Sequence, residues 1–281
     1  MRLGAIEMEL VTDGRFGLDG GAMFGVVPRA LWEKKAPPDA RNRIPMAMNC
    51  LLLRAAGKVV LVETGAGDKW DARHRDIYGF QERDRLLEQL ARRGVRPEDV
   101  DFVVNTHLHF DHCGWNTRRA GADLVPTFPN ATYVVQRGEL DHARRPNERD
   151  RASYLPENFE PIDRAGQWRL IEGDAELLPG IDLVVMPGHT ADMQCVRVAA
   201  GGGCGPVMLL ADLVPTRAHL AYAWIMSFDL YPMVTLENKK KWLPRLAGEG
   251  ALCVFAHDPD VPVARLRVRD GKIEAEPAAI G

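Results

Sequence analysis

Four separate apolar runs in this chain each stop at a side chain that binds metal ions well. Residues 100–104, VDFVV, run into THLHFDH, which carries His107, His109, Asp111 and His112. Residues 181–186, IDLVVM, run into PGHT and His189. Residues 207–210, VMLL, run into Asp212. Residues 253–255, CVF, run into His257. Short apolar runs of this kind, rich in β-branched residues, read as buried strands. If the four strands share one core, their ends gather at one edge of packed sheets. Seven nitrogen and oxygen donors then meet. This requirement favours strands inside and helices outside.

Spacing sorts the seven donors into two sets. In an extended or tightly looped segment, residues two apart point the same way, so His107 and His109 can hold one ion. Asp111 and His112 lie further round the loop and face a second position. His189 completes the first set and His257 the second. Asp212 has two carboxylate oxygens and can bridge them, although it could instead cap a helix beginning at Leu213. Imidazole and carboxylate without thiolate suit two zinc ions first, with iron, manganese or cobalt as alternatives. The bland alternative for the cluster is a polar loop of internally satisfied histidines. Cys113, beside His112, reads as a small packing residue. The five cysteines form no CxxC pair, so neither a disulfide framework nor a thiolate zinc site is indicated.

The rest of the chain supplies a scaffold of strands. Residues 6–12 read as a strand closed by a hairpin turn at Asp13 and Gly14. Residues 49–54 and 58–63 read as a second hairpin, with a Gly- and Pro-rich loop over 17–45 before it. Residues 82–93 and 236–246 have helical periodicity, and 138–145 reads as a short helix. Residues 144–164 are charged and read as a solvated excursion, or else as a partly ordered cap near a site. Trp168–Ile171 with 181–186, and 195–199 with 207–210 around GGGCG, read as hairpins. Ala251 to Phe255 reads as a strand, and a last hairpin turns at Asp270 and Gly271.

The composition is that of a globular protein, 46% hydrophobic and 27% charged. A formal charge of −3 gives no electrostatic case for nucleic acid or an anionic membrane as partner. The first residues lack an apolar signal-like stretch, and no apolar run approaches the roughly 18 residues of a membrane span. A cytoplasmic protein acting on a small molecule is expected.

The stretches THLHFDHCG, PGHT, LLADLVP and FAHD, in this order, resemble the metallo-β-lactamase superfamily. The resemblance covers nearly the whole chain and implies a single domain over residues 1–281. The implied fold is an α+β, αβ/βα sandwich with a dinuclear site at the sheet edge. A narrower resemblance, through DGGAMFGVVPRALWEKK and the stretch from Ala211 to Met233, is to bacterial quorum-quenching N-acyl homoserine lactonases. It implies a hydrolase that opens lactone rings by attack of a hydroxide held between two ions, and it makes a homodimer one assembly open to the chain. Asp111 would orient the hydroxide and pass its proton to the leaving group. Met23, Phe24, Trp224 and Met226 would line an acyl channel. The chain departs from the family at two places. Glu63 stands where many members have aspartate, and Pro215 stands where several lactonases have a tyrosine. His219, Tyr222 and Tyr231 are the candidates to replace that phenol. The alternatives are a hydrolase of thioesters, aryl esters or organophosphates, and a non-catalytic metal-stabilised binding protein.

Overall fold

A computed structural model describes residues 1–81, 85–200 and 205–279. Among these residues the strands form two seven-stranded sheets and a two-stranded ribbon. The first sheet is ordered Arg2–Leu3, Ile6–Asp19, Arg43–Ala55, Lys58–Val62, Phe102–Val104, Thr132–Gln136, Trp168–Ile171. The second is ordered Ala175–Leu178, Ile181–Val185, Gln194–Val198, Val207–Leu209, Leu252–Val254, Val263–Arg269, Lys272–Pro277.

Strand periodicity builds the layers. Leu51 and Leu53 face Val196, Leu209 and Val254 of the other sheet. Their neighbours Cys50 and Leu52 point outward, against Leu86 and Leu90 of the helix Leu86–Ala91. In the second sheet Met208 and Cys253 point outward, against Trp242, Leu243 and Leu246 of the helix Pro232–Gly248. The order is helix, sheet, sheet, helix. Strands of only three residues persist because both faces are covered. Each fully buried aliphatic side chain contributes about 1.5–3 kcal/mol.

Strand direction then places the site. Lys58–Val62, Phe102–Val104 and Thr132–Gln136 run parallel, so their C-terminal ends emerge together. Val207–Leu209 and Leu252–Val254 are also parallel, and two antiparallel steps bring Ile181–Val185 into the same direction. Main-chain bonds knit the two edges. Asn49 N donates to the Ala256 carbonyl, Ala47 N to that of His257, and Gln194 N to that of Thr106.

Several sequence expectations need correction. Asp13 and Gly14 make no hairpin. The strand continues to Asp19 through a register shift between Thr12 and Arg15, because the Asp13 carboxylate is turned inward, where it accepts from Ala66 N, Gly67 N and Trp115 Nε1. The 17–45 loop holds two short helices, Gly20–Phe24 and Arg29–Trp32, and the start of the strand Arg43–Ala55. Trp168–Ile171 does not pair with the 181–186 run. It adds in parallel to Thr132–Gln136, while Ile181–Val185 pairs with Ala175–Leu178. Residues 144–164 match the cap alternative, with Tyr154, Phe159 and Ile162 buried. The start of the 82–93 helix and the GGGCG turn with Cys204 fall outside the described residues. The four other cysteines are free and buried.

Candidate metal centre

Five of the chain's eight histidines meet at the shared edge with Asp111 and Asp212. Their donor atoms fall into three groups, each within 4.8 Å: His107, His109 and His189; Asp111, His112 and His257; and His107, His112 and Asp212. His189 Nε2 lies 3.0 Å from His109 Nδ1, and His257 Nε2 lies 3.0 Å from His112 Nε2. Asp212 reaches both sides, with Oδ2 at 3.3 Å from His189 Nε2 and Oδ1 at 3.1 Å from His257 Nε2.

The far side of four of the five rings is held by a hydrogen bond. His112 Nδ1 donates to Glu63, and the other oxygen of Glu63 accepts from Thr106 N at 2.6 Å. His189 Nδ1 donates to Asp229 at 3.0 Å, and Asp229 accepts from the Thr235 hydroxyl at 2.6 Å. His257 Nδ1 donates to the Ala47 carbonyl at 2.8 Å, and His107 Nδ1 pairs with the Thr106 hydroxyl at 3.0 Å. The carboxylate and carbonyl partners of His112, His189 and His257 can only accept, so they fix the tautomer and leave Nε2 of these three rings as an acceptor. The backbone is strained to reach these positions. Glu63 and Ala211 hold φ of 67° and 45°, which costs of order 1–3 kcal/mol at a non-glycine residue. Gly188, before His189, could not be replaced, since a Cβ there would lie 2.7 Å from Thr235 N.

The donors fit a pair of divalent ions. His107 Nε2 and Asp212 Oδ1 are buried and have no hydrogen-bond partner among the described residues. Unpaired buried polar atoms are costly, and two in one cluster of donor residues call for a ligand. Two imidazole nitrogens on one tetrahedral zinc sit roughly 3.3 Å apart, given Zn–N bonds of about 2.0–2.1 Å, close to the ring contacts here. Burial pushes His107 and His109 well below the usual imidazole range, so both are neutral donors. Burial would lower His112 too, but the Glu63, Asp212 and Asp111 carboxylates hold it well above that range, so an ion taken up at its Nε2 would displace a proton.

Above the cluster lies a cavity of about 290 Å³. His109, Asp111, His189, Asp212 and His257 form its floor, and His107 and His112 stand behind them. Leu18, Met23, Phe110, Met226 and Phe228 give an apolar wall, and Tyr78, Arg149 and Ser153 add polar groups.

Of the residues expected to contact substrate, Met23 and Met226 line the cavity. Phe24, His219, Tyr222 and Trp224 are not among the lining residues. Phe24 is fully buried and stacked between Trp32 and His219, at centroid distances of 5.2 and 4.6 Å. The His219 ring is used up by the Thr216 hydroxyl and the Met23 carbonyl, and burial lowers its pKa to about 3. Trp224 packs edge-on against Phe24, and Tyr222 packs against the outer face of the second sheet. Tyr231 is 47% exposed and does not line the cavity. The phenol that does line it is Tyr78, which sequence reasoning missed.

The metallo-β-lactamase superfamily model matches residues 43–257, which include all seven donors. The chain belongs to that superfamily. Its fold is that of a metal-dependent hydrolase. A relative from a Bacillus species, named an N-acyl homoserine lactonase, is 35% identical over 220 residues, covering 74% of this chain and 80% of its own. The same activity names a Bacillus cereus relative at 29% identity over 230 residues, covering 77% of this chain and 83% of its own. A probable metal-dependent hydrolase from Staphylococcus aureus superposes over the whole of both chains, with a TM-score of 0.90 and 28% identity. The dizinc quorum-quenching lactonase AidC, solved with a product, shares the fold at a TM-score of 0.82 and 22% identity, over all of this chain and 97% of its own.

Proposed function

We propose that this protein is a dinuclear metal-dependent lactonase, with N-acyl homoserine lactones as the leading substrate class. The observation that carries this reading is a cavity with five histidine and aspartate side chains able to hold metal on its floor and an apolar wall above them. Such a site suits a small molecule with a reactive ester at one end and an aliphatic tail at the other. The lactonase names of the 35% and 29% identical relatives support the same class.

His107, His109 and His189 would hold one ion, Asp111, His112 and His257 the other, and Asp212 would reach both. Zinc is the expected metal, given an imidazole and carboxylate set without thiolate. A bound pair of such ions supplies a nucleophile from water at neutral pH and Lewis-acid stabilisation of an ester oxygen. In ring opening, a water oxygen bonds to the carbonyl carbon, the ring C–O bond breaks and a proton ends on the ring oxygen, giving a hydroxy acid. Asp111, on the cavity floor, is the residue assigned to carry that proton. Leu18, Met23, Met226 and Phe228 hold the tail and keep water from the far end of the cavity. We assign the whole chain to one domain, as the apolar layer shared by its two sheets suggests.

The test is acid release in a pH-stat from a series of N-acyl homoserine lactones, simple alkyl lactones and aryl esters, using protein loaded with zinc. Turnover of the acylated lactones above the others is expected. A two-zinc protein that opens no lactone would remove this reading.

A further inference from the structure

Glu139 is 1% exposed and hydrogen-bonds to none of the seven donor side chains. It lies in the first turn of the helix Arg137–Ala143. Its Oε1 accepts from the Leu108 backbone N–H at 2.9 Å and from the Tyr154 hydroxyl at 2.9 Å. Its Oε2 accepts from the Thr190 hydroxyl at 2.7 Å. Leu108 stands between His107 and His109, and Thr190 follows His189. One buried carboxylate therefore joins a loop of the first sheet to a loop of the second, and the histidines of those two loops form a single donor group. Its third donor, Tyr154, packs its ring against His109 with centroids 4.6 Å apart.

This differs from the parts played by Glu63 and Asp229, which hold a ring directly. We propose that Glu139 is a positioning residue that fixes the separation of the two loops carrying His107, His109 and His189, and so sets the affinity of that position for its ion. The proposal rests on the metal-centre reading. Removing the carboxylate leaves three buried donors without a partner and unties the loops. Glutamine keeps the shape. Its oxygen can accept from Leu108 N and Tyr154, and its amide can donate to the Thr190 hydroxyl once that hydroxyl turns.

Zinc affinity by chelator competition on the full chain tests this in two backgrounds. His257→Ala leaves the His107, His109 and His189 group intact. His189→Ala leaves Asp111, His112 and His257. Glu139→Ala is expected to weaken zinc binding about 10- to 100-fold in the first background and less than about twofold in the second. Glu139→Gln is expected to stay within about threefold of its parent, which separates geometry from charge. If the alanine variant does not fold, Thr190→Val cuts the same link from the other side, and its weakening is expected in the first background only. Equal weakening in both backgrounds, or none in either, overturns the proposal alone. Wild-type protein that binds no zinc overturns the metal reading and the proposal with it.

Discussion

The floor and the walls of the cavity are built differently. Each floor residue leaves the end of a short, doubly covered strand or its following loop, and main-chain bonds across the two sheets hold those ends in place. The walls come from segments far apart in sequence. Leu18 ends a long edge-side strand, Tyr78 ends the helix Ala72–Tyr78, Arg149 and Ser153 sit in the charged cap, and Phe228 lies in the loop before the last helix. One wall contact crosses the mouth directly, where Arg149 donates to the Ser227 carbonyl. On the proposed function, chemistry would be tied to sheet register, while selectivity would be carried by loops that can change without disturbing it.

If that division is right, floor substitutions abolish turnover and wall substitutions redirect it. The largest effect is expected at Asp212→Ala, which removes the one carboxylate among the described residues that reaches both donor groups. Bound zinc should fall below two per chain, and kcat/KM should drop at least about 10⁴-fold, as should chelation of the wild type. Wild-type zinc content in this variant would break the bridging assignment. Asp111→Asn comes next. It should keep substantial metal but lose about 10²–10⁴-fold in kcat, the usual worth of a positioned proton carrier. Unchanged turnover would end that role. Glu63→Gln keeps an acceptor for His112 but removes the charge, so about 10- to 100-fold in metal affinity is at stake. An unaffected affinity would show that the Glu63–His112 bond matters only for packing.

The same division explains what the sequence made legible. Strand ends announce themselves because an apolar run stops abruptly at a polar donor. That local signal was enough to group all seven candidate donors and to predict layered sheets. Asp13 misled because its neighbour is glycine, and only distant partners such as Trp115 show that its carboxylate is buried. Trp168–Ile171 misled because parallel pairing with a strand some thirty residues away leaves no turn to read. The wall is largely silent for the same reason. Tyr78 and Arg149 stand in polar stretches, and Phe228 in a loop, with no period to mark them. Glu139 was equally hidden, one of three charged residues in a short helix.

On the wall, Phe228→Ala should lower turnover of long-chain substrates relative to short-chain ones, because contact with part of the tail is lost. A change of a few-fold to about tenfold in the long-to-short kcat/KM ratio is expected, on the scale of one or two methylene contacts. Phe228 is 38% exposed, so the fold should be little affected. An unchanged ratio would move the tail to another wall.

Met23 and Phe24 give the finest test, since they are adjacent and the structure sets them on opposite sides of the division. Both are buried, but Met23 lines the cavity, whereas Phe24 does not and its ring is covered by Trp32, His219 and Trp224. Phe24→Ala should therefore cost about 3–5 kcal/mol of stability, as expected for a large core truncation. Measured well below its lowered melting temperature, the variant should keep the wild-type ratio of long- to short-chain turnover. Met23→Ala should do the reverse, shifting the ratio with a smaller loss of stability. A shifted ratio in Phe24→Ala would mean that the ring stack transmits to the cavity, and the line between wall and core would have to be drawn behind Trp32 instead of in front of Phe24.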